Sequence, residues 1–272
     1  MSAPQRSGPP DRYLVPGLQR GLAILRLFSR HRTELAAPQI AQELAIPRST
    51  VFRLLTTLEY LGFLERATNG DDYRLGPAVL TLGFEYLASL EVTELARPIL
   101  ERLRDDTGFS AHLVLRDGRE VVFVLKVAAR SMLVSSVAVG TRLPAHATVL
   151  GRVFLADLTD TELHALYPES RLERFSPQTP RDVDELIRLL RQDKARGYAV
   201  SEAFFEGSIS AVAAPVRDGS GAVVAALDIT VPEGAVERRL LHGALALRVV
   251  AAAQELSHRL DHRPDRATAV NQ

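Results

Sequence analysis

Polar hydrogen-bonding groups share one side of a helix predicted over residues 48–61. When this segment is turned at 100° per residue, Val51 and the leucines gather on one side, while Ser49 and Arg53 lie on the other. Guanidinium and hydroxyl groups can bond base edges in a DNA major groove, where a carboxylate would be repelled by the phosphates. The centre of the polar side carries no carboxylate, which favours DNA recognition. An ordinary solvent-exposed helix face is the other interpretation.

The predicted contacts of this helix divide between bases and phosphates. Its N-terminus presents free N–H groups that suit a phosphate, and we expect the Arg48 guanidinium to bind phosphate there. The residues predicted to face base edges are Ser49, Thr50 and Arg53, with Thr57 beside them.

A turn between two short alternating segments adds a second predicted contact. Asn69 and Gly70 stand between FLERA and DYRLG, and Asn-Gly between alternating runs is a strong signal for a β-hairpin. We expect the hairpin tip, from Thr68 to Gly70, to lie on the minor groove or the phosphate backbone. Arg66 and Arg74 are predicted to contact DNA beside it.

Three helices are predicted to position these groups. They cover residues 18–28, 37–44 and 48–61, and residues 45–47 leave room only for a tight turn. Three helices followed by a hairpin are typical of a winged helix-turn-helix. The face predicted to be buried in the first helix consists of Leu18, Leu22, Leu25 and Phe28.

The segment 78–90 forms a predicted helix that is apolar on nearly all sides. Such a helix must be covered on two sides. A linker helix that dimerises with a second copy would satisfy this requirement, and so would a helix in the core of its own chain.

The rest of the chain mixes strands and helices, which predicts an α+β sensor domain. The predicted helices cover residues 93–106, 147–157, 160–167, 182–196 and 233–260. The predicted strands cover residues 112–116, 119–127, 132–139, 198–202, 209–216 and 222–230.

Charge is unevenly distributed although the net charge is zero. Residues 1–76 contain ten Arg, no Lys and seven acidic residues, so this segment is mildly basic. The chain has no Cys, which excludes disulfides and thiolate metal sites. No signal peptide or membrane-length apolar run is visible, so we expect a cytoplasmic protein without a membrane partner. Residues 1–12 and 263–272 are predicted to be disordered tails.

Motifs of the common enzyme classes are absent from the sequence. It has no G-x-S-x-G elbow, no P-loop, no H-E-x-x-H pair and no G-x-G-x-x-G turn after a strand. His258 and His262 stand four residues apart, as in half a metal site, but a solvated helix end is the simpler interpretation. His112 and His146 lie in the sensor domain, where one of them could contact a ligand. We expect no catalysis, no metal and no cofactor.

At these residues the sequence resembles the IclR family of bacterial transcription regulators. The similar stretches include LQRGLAILRLF, LAAPQIAQELAIPRSTVFRLLTTLEYLGFLER, YRLGPAVLTLG and VGTRLPAHATVLGRVFLA, and the resemblance covers about residues 13 to 260. It implies a winged helix-turn-helix domain at 13–76, a linker helix at 77–91 and a GAF-like effector-binding domain at 92–262. It also implies a homodimer, often a dimer of dimers, on a near-palindromic double-stranded DNA operator. Pro47 stands where many members carry Ser, so the usual N-cap hydrogen bond is missing.

The resemblance further implies a pocket for a carboxylic acid. In similar proteins, backbone N–H groups in the segment that matches residues 147–151 hold the ligand's carboxylate, which suits an anion at a helix start. The residues so implied are Thr148, Val149, Leu150 and Gly151, with Ser201, either Ser210 or Ala211, Asp228 and Thr230 on the opposite wall. Asp228 departs from the small hydroxyl or amide expected there, and it would accept from a ligand hydroxyl or pair with an Arg.

The sequence therefore predicts a DNA-binding transcription regulator that responds to a small molecule. The resemblance is strongest to members that sense aromatic acids of the hydroxybenzoate type, with keto acids and sugar acids as competitors. A dimeric DNA-binding protein without a small ligand and a metabolic enzyme are the alternatives.

Overall fold

The protein, seen in a computed structural model, is described at residues 13–29, 31–68, 70–130, 137–169, 171–201, 209–232 and 234–261. The chain divides into two units between Ser89 and Leu90. Helices precede a small sheet in the first unit, and helices flank a larger sheet in the second, so the α+β prediction is confirmed. Within the described ranges, no helix has both the length and the apolarity needed to cross a membrane.

Four helices and a three-stranded sheet form the N-terminal unit. Its elements are α1 (Pro16–Leu25), β1 (Leu35–Ala36), α2 (Ala37–Glu43), α3 (Arg48–Tyr60), β2 (Leu64–Arg66), β3 (Asp72–Leu75) and α4 (Ala78–Ala88). The strands are antiparallel in the order β1-β3-β2, and β2 pairs with β3 as the predicted hairpin. Strand β1 was not predicted, because two residues are too few to show alternation.

The buried side of α1 matches the predicted one only in part. Phe28 packs in the core of this unit and Leu25 packs against that core, as predicted, whereas Leu18 is 63% exposed and Leu22 is 49% exposed. Ile24, which was not predicted, is fully buried. The helix also ends at Leu25, earlier than predicted. Because α1 carries apolar residues on two sides, spacing alone could not show that Leu18 and Leu22 lie on the exposed one.

The turn between α2 and α3 is tight, as predicted. Ala45 has a φ of 52°, a left-handed conformation that costs a residue with a Cβ roughly 1–2 kcal/mol. The N–H of Ile46 donates to the carbonyl of Ala41 at 3.0 Å and closes the turn. This local geometry sets α3 against α2.

Helix α4 is not covered by the residues that the structure describes. None of its residues is buried, and several large apolar side chains are 55–64% exposed. These side chains are Leu80, Leu82, Phe84 and Tyr86. The interpretation of this helix as a core element of its own chain is therefore wrong.

The second unit is built around a six-stranded antiparallel sheet. Its helices are α5 (Glu91–Thr107), α6 (Val149–Leu155), α7 (Asp160–Leu166), α8 (Val183–Arg196), α9 (Arg238–Leu240) and α10 (Ala246–Arg259). Its strands are β4 (Ser110–Asp117), β5 (Glu120–Val127), β6 (Arg142–Pro144), β7 (Ala199–Ser201), β8 (Ile209–Arg217) and β9 (Val223–Pro232). The strand order is β6-β5-β4-β9-β8-β7. Helices α6 and α8 pack on one face, and α5 and α10 pack on each other and on the opposite face.

Several predicted boundaries in this unit are wrong. Helix α6 begins at Val149 rather than at 147, because Thr148 is its N-cap. The last helical segment begins at Arg238 rather than at 233, after Gly234 with its φ of 74°. The predicted strand at 132–139 lies mostly outside the described residues, and its described part, 137–139, is not a strand.

Candidate functional site

The polar side of α3 is open to solvent. The opposite side is anchored in the core by Val51 and Leu55, which have no exposed surface. Among the predicted contacts, Arg48, Ser49, Arg53 and Thr57 are exposed and Thr50 is half-buried. The guanidinium groups of Arg48 and Arg53 form no ion pair with any residue that the structure describes, so an anionic partner can reach both. The Thr57 hydroxyl donates to the Arg53 carbonyl at 2.9 Å, which leaves it only as an acceptor toward a partner.

The first turn of α3 has no side-chain cap. Pro47 occupies the N-cap position, and its carbonyl accepts the N–H groups of Thr50 and Val51 at 2.9 and 3.0 Å. The N–H groups of Arg48 and Ser49 precede the first bond within the helix. An uncapped N-terminus of this kind suits a phosphate, so the missing cap is compatible with the predicted contact.

The two arginines of the hairpin are already paired within the chain. Arg66 contacts Glu59 at 3.3 Å, and its guanidinium carbon lies 4.2 Å from the centroid of the Tyr73 ring. Arg74 pairs with Glu65 at 2.8 Å. All four charged side chains are about one-third to one-half exposed, so DNA phosphates would compete with the carboxylates for these arginines. The predicted contact Asn69 lies outside the described residues.

Strand register brings four of the five predicted pocket residues on strands to one face of the larger sheet. Opposed residues on neighbouring strands share a face, as do residues two apart along a strand. Two such rows cross the sheet, namely His112–Asp228–Ala213–Ala199 and Ser110–Thr230–Ala211–Ser201. Ala199 and Ala213 pack in the cluster that includes α6 and α8, so both rows lie on that face.

Ser210 lies on the other face of the sheet. It precedes Ala211 on β8, where the register is regular, so its side chain points toward α5 and α10. Of the two alternatives offered by the sequence, Ala211 is the residue on the pocket face. Ser210 therefore lies apart from the other predicted pocket residues, because successive side chains along a strand point to opposite faces of the sheet.

One backbone N–H group at the start of α6 is already hydrogen-bonded within the chain. Oγ1 of Thr148 accepts the N–H of Gly151 at 3.0 Å, so this N–H is not free for a carboxylate as predicted. A side chain at position 151 would collide with the backbone of Ala145, which explains the glycine by close packing. Val149 and Leu150 are buried, and their role in ligand binding stays a prediction.

His112 and Asp228 form a buried pair that the sequence analysis did not predict. Nδ1 of His112 lies 2.9 Å from Oδ1 of Asp228, and their side chains are 0% and 2% exposed. The partner of Asp228 is thus a histidine rather than the arginine considered from the sequence. Within the described residues, Nε2 of His112 and Oγ of Ser201 are buried without a hydrogen-bond partner. The pocket face therefore holds two polar atoms whose hydrogen bonds are unmade.

Arg152 ties α6 to the strand that ends at Ser201. Its guanidinium pairs with Asp193 on α8 and donates to the carbonyl of Val200 at 3.0 Å. Val200 directly precedes Ser201, so this buried contact fixes the position of Ser201 relative to α6.

The aromatic ring of His146, just before α6, packs against the ring of Tyr167, which follows α7. His146 Nε2 lies 2.9 Å from the carbonyl oxygen of Glu173, and the His146 ring meets the Tyr167 ring edge-to-face with 5.6 Å between centroids. Burial lowers the pKa of His146 and raises the pKa of Tyr167 to about 12. Both side chains are therefore uncharged at neutral pH.

For the His258 and His262 pair, the sequence favours a solvated helix end rather than half a metal site. His258 lies in the last turn of α10, and His262 lies outside the described residues. In the part of the chain that the structure describes, no group of three or more His, Asp or Glu residues could hold a metal ion.

Two protein families match the two units. Residues 17–68 match the family described as "IclR helix-turn-helix domain". Residues 84–258 match the family described as "Bacterial transcriptional regulator IclR C-terminal".

Individual proteins are similar over most of the chain. The Pca regulon regulatory protein of Pseudomonas putida is 33% identical over 255 residues, which cover 93% of this chain and 86% of that protein. The HTH-type transcriptional regulator XynR of Escherichia coli K12 is 32% identical over 80% of this chain and 86% of its own length. The crystal structure of an IclR homologue from Microbacterium hydrocarbonoxydans complexed with 4-hydroxybenzoate matches with a TM-score of 0.78 and 26% identity, over 90% of this chain and 99% of that one.

Proposed function

We propose, from the premise that this chain belongs to the IclR family of bacterial transcriptional regulators, that α3 binds an operator and that an aromatic carboxylic acid modulates this binding. The chain accordingly has an N-terminal helix-turn-helix domain and a C-terminal effector-binding domain. We place the DNA-binding domain at 13–76, the linker helix at 77–91 and the effector-binding domain at 92–262.

The observation that carries the DNA proposal is the exposed, carboxylate-free side of α3. Arg53 stands on this side without an ion-pair partner in the described chain, while Val51 and Leu55 hold the opposite side in the core. Arg53 suits a guanine edge, to which a guanidinium donates two hydrogen bonds. The uncapped start of the helix suits a phosphate. Arg66, Arg74 and Asn69 would follow the backbone beside it.

The carboxylate proposal rests on the pocket face and on two relatives. Ser201 offers a buried hydroxyl with no partner in the described residues, and it lies on a strand that Arg152 ties to α6. The N–H groups of Val149 and Leu150 at the start of α6 would complete the carboxylate site. A related protein regulates the Pca regulon, and another was solved with 4-hydroxybenzoate, which supports an aromatic acid over a keto or sugar acid.

A homodimer on a near-palindromic operator, possibly assembled into a dimer of dimers, fits the uncovered apolar side chains of α4. Phe84 and Leu82 are more than half exposed, and a second copy would cover them. The relatives are transcriptional regulators, and we infer a cytoplasmic protein without catalytic activity or cofactor.

The effector proposal is tested by thermal unfolding of the full chain with 4-hydroxybenzoate. A ligand at 100 times its dissociation constant stabilises the folded state by about 2.7 kcal/mol, so the melting temperature should rise. The same ligand should change operator affinity, and operator DNA should change ligand affinity by the same factor, because such coupling is reciprocal. Equal ligand affinity with and without the operator would overturn the mechanism.

A further inference from the structure

We propose that His112, oriented by Asp228, is the specificity-determining residue of the effector pocket and accepts a hydrogen bond from a ring hydroxyl of an aromatic hydroxy acid. The inference rests on the proposed function, because it assigns one end of the ligand in that pocket. It excludes a second carboxylate from this end.

The geometry fixes which nitrogen of the neutral imidazole can accept from a ligand. Nδ1 of His112 lies 2.9 Å from the Asp228 carboxylate, which can only accept, so the neutral tautomer that fits this contact carries its proton on Nδ1. Nε2 then presents a lone pair, and this nitrogen has no partner among the described residues. The edge-to-face contact with Phe123, 5.4 Å between centroids, holds the ring in this orientation.

Two groups decide which ligand atom fits here, namely the acceptor Nε2 of His112 and the carboxylate of Asp228. A buried acceptor without a hydrogen bond destabilises the ligand-free protein, and a ligand O–H would remove that loss. A carboxylate placed here would bring its own lone pairs against Nε2 and would be repelled by Asp228 in a low-dielectric environment. The pocket therefore favours a ligand with an O–H donor at this end and an anionic group elsewhere, toward Ser201.

Two matched ligand pairs test this assignment by calorimetric titration of the full chain. They are 4-hydroxybenzoate with 4-fluorobenzoate, and 3-hydroxybenzoate with 3-fluorobenzoate, because fluorine has nearly the size of a hydroxyl but cannot donate. We expect at least one hydroxybenzoate to bind about tenfold or more tightly than its fluorinated partner.

Variants of the pair identify the responsible group. Asp228→Asn lets the asparagine amide donate to Nδ1 and moves the ring proton to Nε2, so the preference for hydroxyl over fluorine should fall severalfold. His112→Phe combined with Asp228→Asn removes the acceptor without leaving a buried carboxylate, and the preference should fall to within about twofold. Ser210→Ala, on the opposite face of the sheet, should keep the wild-type preference.

The outcomes separate this inference from the proposed function. Equal binding of the hydroxy and fluoro acids by the wild-type protein would overturn the role of His112 and leave the aromatic-acid effector standing. An unchanged preference in both variants would also overturn it. Failure of all four acids to bind would overturn the proposed effector class and this inference together.

Discussion

Arg152 and Asp193 form a bidentate ion pair in which each side chain is only 2% exposed. Nε donates to one carboxylate oxygen at 2.7 Å, and Nη2 donates to the other at 3.0 Å. The same Nη2 reaches the carbonyl of Val200. Three elements, α6, α8 and β7, thus meet at one guanidinium.

Removing one member of this pair should destabilise the protein strongly. Arg152→Met leaves the Asp193 carboxylate buried, with Arg196 as its one remaining charged partner among the described residues, and we expect a loss of about 3–5 kcal/mol in the free energy of unfolding. Urea denaturation measures the change. Arg191→Ala serves as the control, because Arg191 pairs with Asp160 at the surface and should cost less than about 1 kcal/mol. A similar small cost for both variants would contradict a structural role for the buried pair.

The sequence alone could not predict this pair or the His112–Asp228 pair. Their members are separated by 41 and 116 positions, and each pair depends on how strands and helices are arranged in space. Alternation shows that Asp228 and Thr230 share a face, but it cannot show that β4 lies beside β9. For the same reason the sequence could not choose between Ser210 and Ala211 until the strand was placed between two layers of helices.

Local patterns predicted the N-terminal unit more closely. The helix expected at 48–61 is observed at Arg48–Tyr60, and β2 pairs with β3 in the expected antiparallel arrangement. The error in α1 has a physical cause, because its sequence carries two apolar stripes. Leu18 and Leu22 form the stripe that the single chain leaves exposed, and periodicity cannot distinguish a core from an intermolecular contact.

Arg53→Ala should weaken and broaden operator binding. Loss of a bidentate contact to guanine costs about 1–3 kcal/mol and relaxes the preference for one base pair. Fluorescence anisotropy with operator duplexes substituted one base pair at a time measures both effects. Arg188→Ala, an exposed arginine on α8 in the other unit, should leave affinity unchanged. An equal loss on every duplex would show that Arg53 binds phosphate only.

Phe84→Glu should weaken the proposed homodimer. Phe84 is 64% exposed in the single chain, and burying such a side chain against a second copy contributes about 1.5–3 kcal/mol. Sedimentation velocity over a range of protein concentrations should show a dissociation constant raised at least tenfold. Leu247→Glu is the matched control, since Leu247 on α10 is 70% exposed. The role of α4 in dimerisation would be rejected if both variants sedimented like the wild type.

His146 should make stability depend on pH below neutrality. Burial lowers the pKa of this imidazole below its ordinary value of 6.5, so the unfolded chain binds the proton more readily than the folded one. The contribution of His146 to the free energy of unfolding should therefore be greatest above pH 6.5. It should decrease as the pH falls from 6.5 through the folded pKa, by at most about 1.4 kcal/mol per pH unit. Urea denaturation between pH 5 and 7.5 measures the slope.

The His146→Gln variant isolates this contribution. A glutamine amide can donate to the Glu173 carbonyl but does not titrate, so the slope of stability against pH should be smaller than in the wild type. Parallel slopes for the two proteins would exclude His146 as the titrating group. A slope of opposite sign would mean that the folded state stabilises the charged imidazole.

Operator binding measured as a function of salt is the most direct test of α3 as a DNA-reading helix. The full chain is titrated with a duplex from its own promoter region and with a scrambled duplex of the same composition, between 50 and 200 mM salt. We predict that the promoter duplex binds at least about 10³-fold more tightly and that both affinities fall steeply with salt. Equal affinity for the two duplexes, or no dependence on salt, would contradict the account.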